Sequence, residues 1–273
     1  MKSEFFSGSR FWTYYKYDLT QLWRNHMKAA VGIGLSGLIA YVFVVLLSLI
    51  RGIGWHGIPF DARFAIMVAA FAALQLYQTR TYGHLTDKSK GSAWLMVPAS
   101  CFEKWLSMII NTLIVIPLAF FVTYLAVDSL LCLLDPGIGT AVASKISGGL
   151  GSFSSGLVQV NGTYDTTWSL GMVVGILLAS YCVNFLYYLL CGICFKKNKI
   201  LSALGIAMVA GLVLSLILGA TGLESLVEAP DYEDFASAEK DIRALLGTLT
   251  AVMWIVAAGL AAGIYFRIKT IKH

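Results

Sequence analysis

Charge is scarce in this chain. Of its 273 residues only 13% are charged, against 58% hydrophobic, and the mean hydropathy is +0.75. A water-soluble chain of this length has no use for so much apolar surface, so a lipid solvent is implied. Catalytic and nucleotide-binding signatures are missing too. No G-x-x-x-x-G-K-[ST] occurs, which excludes ATP binding through a P-loop. The four histidines, His26, His56, His84 and His273, form no H-E-x-x-H pair, and no G-x-S-x-G is present. Gly91-Ser92 and Gly151-Ser152 have no histidine nearby. The chain is therefore expected not to be an enzyme and to hold no cofactor or metal of its own. Five cysteines, Cys101, Cys132, Cys182, Cys191 and Cys194, are an odd number lying mostly in or beside apolar runs, which is no disulfide framework. Cys191 and Cys194 lack the second ligand pair that a metal site would need. Net charge is +5, yet no basic face interleaved with aromatics forms a groove for nucleic acid. The basic residues sit beside apolar runs, where anionic lipid headgroups are the natural partner.

What the chain does have is six long apolar stretches, at residues 29–50, 64–79, 106–127, 170–195, 200–220 and 245–266. A helix needs about 20 apolar residues to cross the hydrocarbon core. Backbone groups in lipid must be satisfied within the structure, so unbroken runs of this kind predict helices rather than alternating barrel strands. The expected fold is an all-α integral membrane protein, a single transmembrane domain over 1–273 with six transmembrane helices. The first run starts too late and is too long for a signal-peptide core. Pro117 predicts a kink in the third span.

Lys and Arg divide unevenly between alternate loops. Fifteen of the 20 fall in the N-terminal tail, the 80–105 loop, the 196–199 loop and the C-terminal tail. The remaining five are Arg51, Arg63, Lys145, Lys240 and Arg243. The positive-inside rule then puts both termini in the cytoplasm, and a bacterial inner membrane is the expected location. Within the spans no ionisable residue is expected at mid-membrane. Asp128 falls at the outer border, about 33 Å along a helix from Leu106. Gln75, Asn111 and Asn184 are expected to bond between helices. Gly171-x-x-x-Gly175 and Gly259-x-x-x-Gly263 would permit close helix approach.

The tail before the first span, within residues 1–28, carries its own signal. At 100° per residue Phe11, Trp12, Tyr15, Leu19, Leu22 and Trp23 share one apolar arc, and Arg10, Lys16, Thr20, Gln21, Arg24 and Asn25 lie outside it. This describes an amphipathic helix in the headgroup plane, or one packed on a soluble partner. In the 80–105 loop, Trp94-Leu95-Met96-Val97 is an apolar run out of place in water, and is expected to press on headgroups or on a partner. Pro98 blocks helix upstream of it. Ser100 and Glu103 form a capping-box pattern, so a helix is predicted to start near Ser100 and continue into the third span, with Lys104 and Trp105 at the interface. On the other side of the membrane, 135–169 is rich in Gly, Ser and Thr and includes the triplet Asn161-Gly162-Thr163. Residues 221–244 are acidic, with Glu224, Glu228, Asp231, Glu233, Asp234, Glu239 and Asp241. The i, i+4 pair Glu239 and Arg243 predicts a short helix leading into the last span.

An amphipathic tail helix, six spans, internal termini, a loop after the second span and an extracytoplasmic segment before the sixth together resemble the permease subunits of second-type ABC exporters. The stretch Leu95-Met96-Val97-Pro98-Ala99-Ser100-x-x-Glu103-Lys104 is similar to one in permease-like proteins of Bacteroidetes. The resemblance implies a separately encoded ABC ATPase that binds ATP and docks at Trp94, Leu95, Pro98, Ser100, Glu103 and Lys104. It also implies a homodimer or a sister permease, and export of an amphipathic or lipid-like substrate. A membrane sensor or accessory protein that binds a partner and moves nothing would use the same docking features, and stays open as the alternative.

Overall fold

The computed structural model describes residues 6–52, 57–86, 91, 94, 96–154, 159–160, 164–165, 170–220 and 235–270. Apart from one two-residue antiparallel strand pair, Gln159–Val160 with Tyr164–Asp165, its regular structure is helical. The helices are α1 (Gly8–Leu22), α2 (Lys28–Gly34), α3 (Ser36–Arg51), α4 (Phe60–Thr81), α5 (Cys101–Ile110), α6 (Ile116–Leu134), α7 (Val142–Ser154), α8 (Leu170–Cys194), α9 (Lys199–Ala220) and α10 (Phe235–Thr270). Single π-helical turns, Trp23–Met27 and Asn111–Val115, join α1 to α2 and α5 to α6.

Among the described residues four helices are long and apolar enough to cross a membrane: Phe60–Thr81, Cys101–Leu134, Val174–Cys194 and Leu246–Thr270. The pair Gly8–Gly34 and Ser36–Arg51, bent by 43°, makes a fifth if counted as one span. A shorter apolar stretch, Lys199–Val213, is found within α9 among the described residues. Of the six spans expected, the described residues show four or five by this measure. Their outer faces carry exposed apolar side chains, among them Ile39, Phe43, Leu118, Met208, Leu212 and Ile255. A bundle embedded in lipid presents such a surface, because lipid tails solvate it at no cost.

Several expectations about the spans change. The first span does not begin afresh at 29. Helix runs unbroken from Gly8 through the π turn to Gly34, and the bend falls at Leu35. No breaker lies between 23 and 28, whereas Gly32, Gly34, Ser36 and Gly37 crowd the bend. A Cβ on Gly34 would lie 2.9 Å from Thr123 Cβ, so α2 meets α6 at van der Waals limits there. The second span is longer than 64–79 and takes Arg63 and Arg80 into the helix. The helix beginning at Phe235 is continuous with the last span. The acidic residues 221–234 and the triplet 161–163 lie outside the described residues.

Pro117 produces no sharp break. It has no N–H, so the carbonyl four residues back, Leu113 O, loses its ordinary donor. The preceding turn widens into the Asn111–Val115 π turn, and the Tyr181 hydroxyl of α8 donates to Leu113 O. A neighbouring helix thus supplies what proline removed, as lipid requires. The described glycines of the G-x-x-x-G motifs, Gly175, Gly259 and Gly263, are not the tight contacts. Gly175 and Gly263 are in ordinary contact, and nothing lies within 4 Å of a Cβ on Gly259. Among the described residues the closest approach is instead at Gly192 of α8, where a Cβ would collide with the Thr79 carbonyl oxygen.

Charge is also buried near one end of the bundle. Arg63 and Asp128 are both buried, and Arg63 Nη1 donates to Asp128 Oδ1 at 2.7 Å. Arg63 Nη2 donates to the carbonyls of Ile138 (3.2 Å) and Thr140 (2.8 Å), while Asp128 Oδ2 accepts from Val142 N at the start of α7 (2.7 Å). The pair lies at the opposite end of α4 from Tyr82 and ties the 135–142 turn to two helices. Asp128 does sit near the end of its helical run, but as a buried ion-pair partner. Such a pair costs desolvation and is retained where both ions gain further hydrogen bonds.

Two outcomes check this packing. Tyr181→Phe is expected to lower stability by about 1–3 kcal/mol, the cost of an unsatisfied buried carbonyl. The loss should shrink in a Pro117→Ala background, where the restored N–H supplies the donor; a denaturation series on the four proteins measures the coupling. Gly192→Ala should cost about 1–3 kcal/mol by overpacking, with Gly259→Ala near neutral.

Candidate functional site

The features singled out in the tail and in the 80–105 loop meet at one place. Helix α1 lies along the start of α5 and the turn after α4, and its docked face is Arg10, Tyr14, Asp18 and Leu22, one residue per turn. This face overlaps the apolar arc read from the sequence only at Leu22, which is buried with Met27 and Ala30. Trp12 and Trp23 are exposed, while Phe11, Tyr15 and Leu19 are half-buried. Phe11 and Tyr15 stack at 5.8 Å. The aromatic arc therefore flanks the contact, and three polar residues outside the arc make it.

The first rung is Glu103. Its carboxylate accepts from Arg10 Nε (2.8 and 3.0 Å) and Nη2 (2.8 Å), from Ser7 N (3.0 Å) and from Ser100 N (2.9 Å). Ser100 Oγ in turn accepts from Glu103 N, completing the predicted capping box at the start of α5. Glu103 lies in the first turn of α5, ahead of the apolar run 106–127. Arg10, Ser100 N and Ser7 N together satisfy the buried carboxylate.

The second rung joins Tyr14 to Trp94, whose indole Nε1 donates to the Tyr14 hydroxyl at 3.1 Å. Trp94 is 8% exposed, so it is packed inside the protein and does not press on headgroups or on a partner. Lys104 is also buried instead of lying at an interface. Its Nζ donates to Trp94 O (3.0 Å) and stands 4.6 Å from the Trp94 ring centre. Trp105 donates from Nε1 to Ala261 O of α10 at 2.8 Å.

The third rung is Asp18, which the sequence pattern did not single out. Its Oδ2 accepts from Ser107 Oγ (2.5 Å), Asn111 Nδ2 (2.8 Å) and the Tyr82 hydroxyl (3.0 Å). Asn111 Nδ2 also reaches the Tyr82 hydroxyl at 2.9 Å, so this residue does bond between helices as expected. Asn184 instead bonds Ser180 O in its own helix. Burial, then the Asp18 charge, push the Tyr82 phenol well above its ordinary pKa, which keeps it a donor. Only the residue spacing 10, 14, 18, 22 could have revealed this face, and three of those four are polar or amphipathic.

Nearby, Lys199 Nζ at the start of α9 donates to Gly83 O and to Thr86 Oγ1 (2.8 Å), and His26 Nδ1 lies 3.0 Å from the Tyr77 hydroxyl. Among the described residues of the loop the turn 96–99 is accessible. Met96 is 83% exposed, and Val97 and Ala99 are partly so. Pro98 is in the same turn, and Leu95 lies outside the described residues. Trp94, Glu103 and Lys104 thus brace the turn from behind. Among the described residues no group of three or more His, Cys, Asp or Glu could hold a metal ion. The cysteines there are free. No family model, curated protein or solved structure matches the chain.

Glu103→Gln is expected to weaken α1 docking by about 2 kcal/mol, within the range for hydrogen bonds to charged groups. Faster amide exchange across residues 8–18 would report it.

Proposed function

We propose that this chain is the transmembrane permease subunit of an ABC exporter, driven by a separately encoded ATPase and moving an amphipathic or lipid-like substrate. In this reading both termini are cytoplasmic, α1 lies at the headgroup level with Trp12 and Trp23 toward lipid, and a homodimer or a sister permease completes the pathway. The observation that supports it best is the exposed apolar turn at Met96, held by the Trp94, Lys104 and Glu103 contacts directly at the start of the 34-residue helical run Cys101–Leu134. A partner pushing on this turn acts at once on α1, through Arg10 and Tyr14, and on a spanning helix, through Ser100 and Glu103. An apolar anchor on a rigid mount is a sound docking element.

The ATPase would take Met96, Val97 and Pro98 into an apolar recess, with Ser100, Glu103, Lys104 and Trp94 positioning the turn. The expected result is that the tagged chain, purified from its native membrane in mild detergent, brings with it a P-loop ATPase. In reconstituted vesicles Met96→Asp should cut stimulation of that ATPase several-fold, the usual effect of removing an interface anchor. Recovery of no ATPase would count against the permease reading. Recovery of one that Met96→Asp leaves fully stimulated would remove the docking role. An ATPase that binds here without any substrate movement would favour the accessory-protein alternative.

A further inference from the structure

One buried side chain is left over by the packing. Gln78 lies in the last turn of α4, fully buried, and neither its Oε1 nor its Nε2 has a hydrogen-bond partner. Asn111 Oδ1 and Thr112 Oγ1, in the π turn between α5 and α6, are likewise buried and unpartnered. Gln78 and the Asn111–Thr112 pair share a neighbour in Tyr82. Gln78 is one turn before Tyr82 on the same helical face, and Tyr82 bonds Asn111. One turn further into the bundle is Leu74, packed in the apolar cluster that includes Ile116, Phe120 and Phe185. Gln78 therefore sits between the Asp18 network and the apolar interior.

We infer that Gln78, Asn111 and Thr112 bind ordered water, one or two molecules, at the junction of α4, the Asn111–Val115 π turn and α8. The chemistry selects the ligand. Gln78 offers a donor and an acceptor side by side, Thr112 a hydroxyl of both kinds, and Asn111 an acceptor. A bare cation would be repelled by the Nε2 donor, and an anion by the two amide oxygens. A neutral molecule that both donates and accepts suits all three. Beside Gln78, the Thr79 backbone is in tight contact with Gly192, so α4 and α8 pack closely there. Unpartnered buried polar groups call for such a molecule, and bound water with two to four polar partners is the usual solution. The hydrogen-bonded chain then runs from Asp18 through Asn111 and water to Gln78, carrying polarity from the α1 joint into the spanning bundle. This holds whether or not the chain moves a substrate.

The test is water-edited solid-state NMR on the full-length protein, labelled with nitrogen-15 at glutamine and asparagine and with carbon-13 at leucine, in lipid bilayers. Magnetisation should pass from water to the side-chain amide of Gln78 at short mixing times, with the Leu74 methyl carbons silent. Gln78→Leu should then abolish transfer to the Asn111 amide and lower the melting temperature, because Asn111 and Thr112 lose their bridge. Absence of transfer to Gln78 in the wild-type protein would overturn the inference. So would a rise in melting temperature for Gln78→Leu, the signature of a dry, unsatisfied amide being removed. The wild-type measurement decides the matter even if the variant does not fold.

Discussion

Hydrogen bonding without bulk water is the constraint on which this structure rests. Lipid offers no donor or acceptor to a polar group stranded inside the bundle, so a polar group there is costly unless a neighbour matches it. Asp18 shows how strict this is. A carboxylate at the joint of three segments takes donors from Ser107, Asn111 and Tyr82 on a single oxygen. Leu113 O, stripped of its helical donor by Pro117, is served by Tyr181 from another helix. Arg63 is divided among Asp128, Ile138 and Thr140. In each case the polar group fixes a relation between elements distant in sequence, and apolar packing fills in around it.

The same logic gives the two ends of the bundle different characters. At the end of Arg63 and Asp128, an ion pair clamps a turn and caps α7, and two formal charges serve one small region. At the other end, three rungs of differing chemistry run along α1: an ion pair, an aromatic hydrogen bond and a carboxylate among neutral donors. Rungs of that kind hold a helix in one register, since a slip of one turn would set Asp18 against Trp94 and carry Arg10 past Glu103. Apolar faces alone specify register less sharply. The α1 end is therefore built for positional accuracy, and the exposed turn at Met96 inherits it.

Two π turns lie close to this joint, one in each of the helices that make it. Each inserts a residue into its helix and so rotates the segment on its N-terminal side relative to the segment on its C-terminal side. The π turn at 111–115 has a visible cause in Pro117. For the turn at 23–27 the sequence shows none, and its geometry goes with the docking of both Leu22 and Met27 into the same apolar cluster.

The amino-acid sequence by itself determined the solvent and the class of fold, because hydropathy and run length are local sums that need no partner. It also determined the start of α5, since the Ser100 and Glu103 capping box closes within four residues. Which side of α1 docks, that Trp94 turns inward, that Asp128 finds Arg63, and that Gly192 rather than Gly175, Gly259 or Gly263 makes the close contact were decided only in three dimensions. Each depends on a partner far away in the chain, and no periodicity in one helix encodes which face another helix will present. The apolar arc of α1 was legible, but its role was not: a hydrophobic stripe reports what avoids water, whereas in lipid the scarce polar groups choose the contacts.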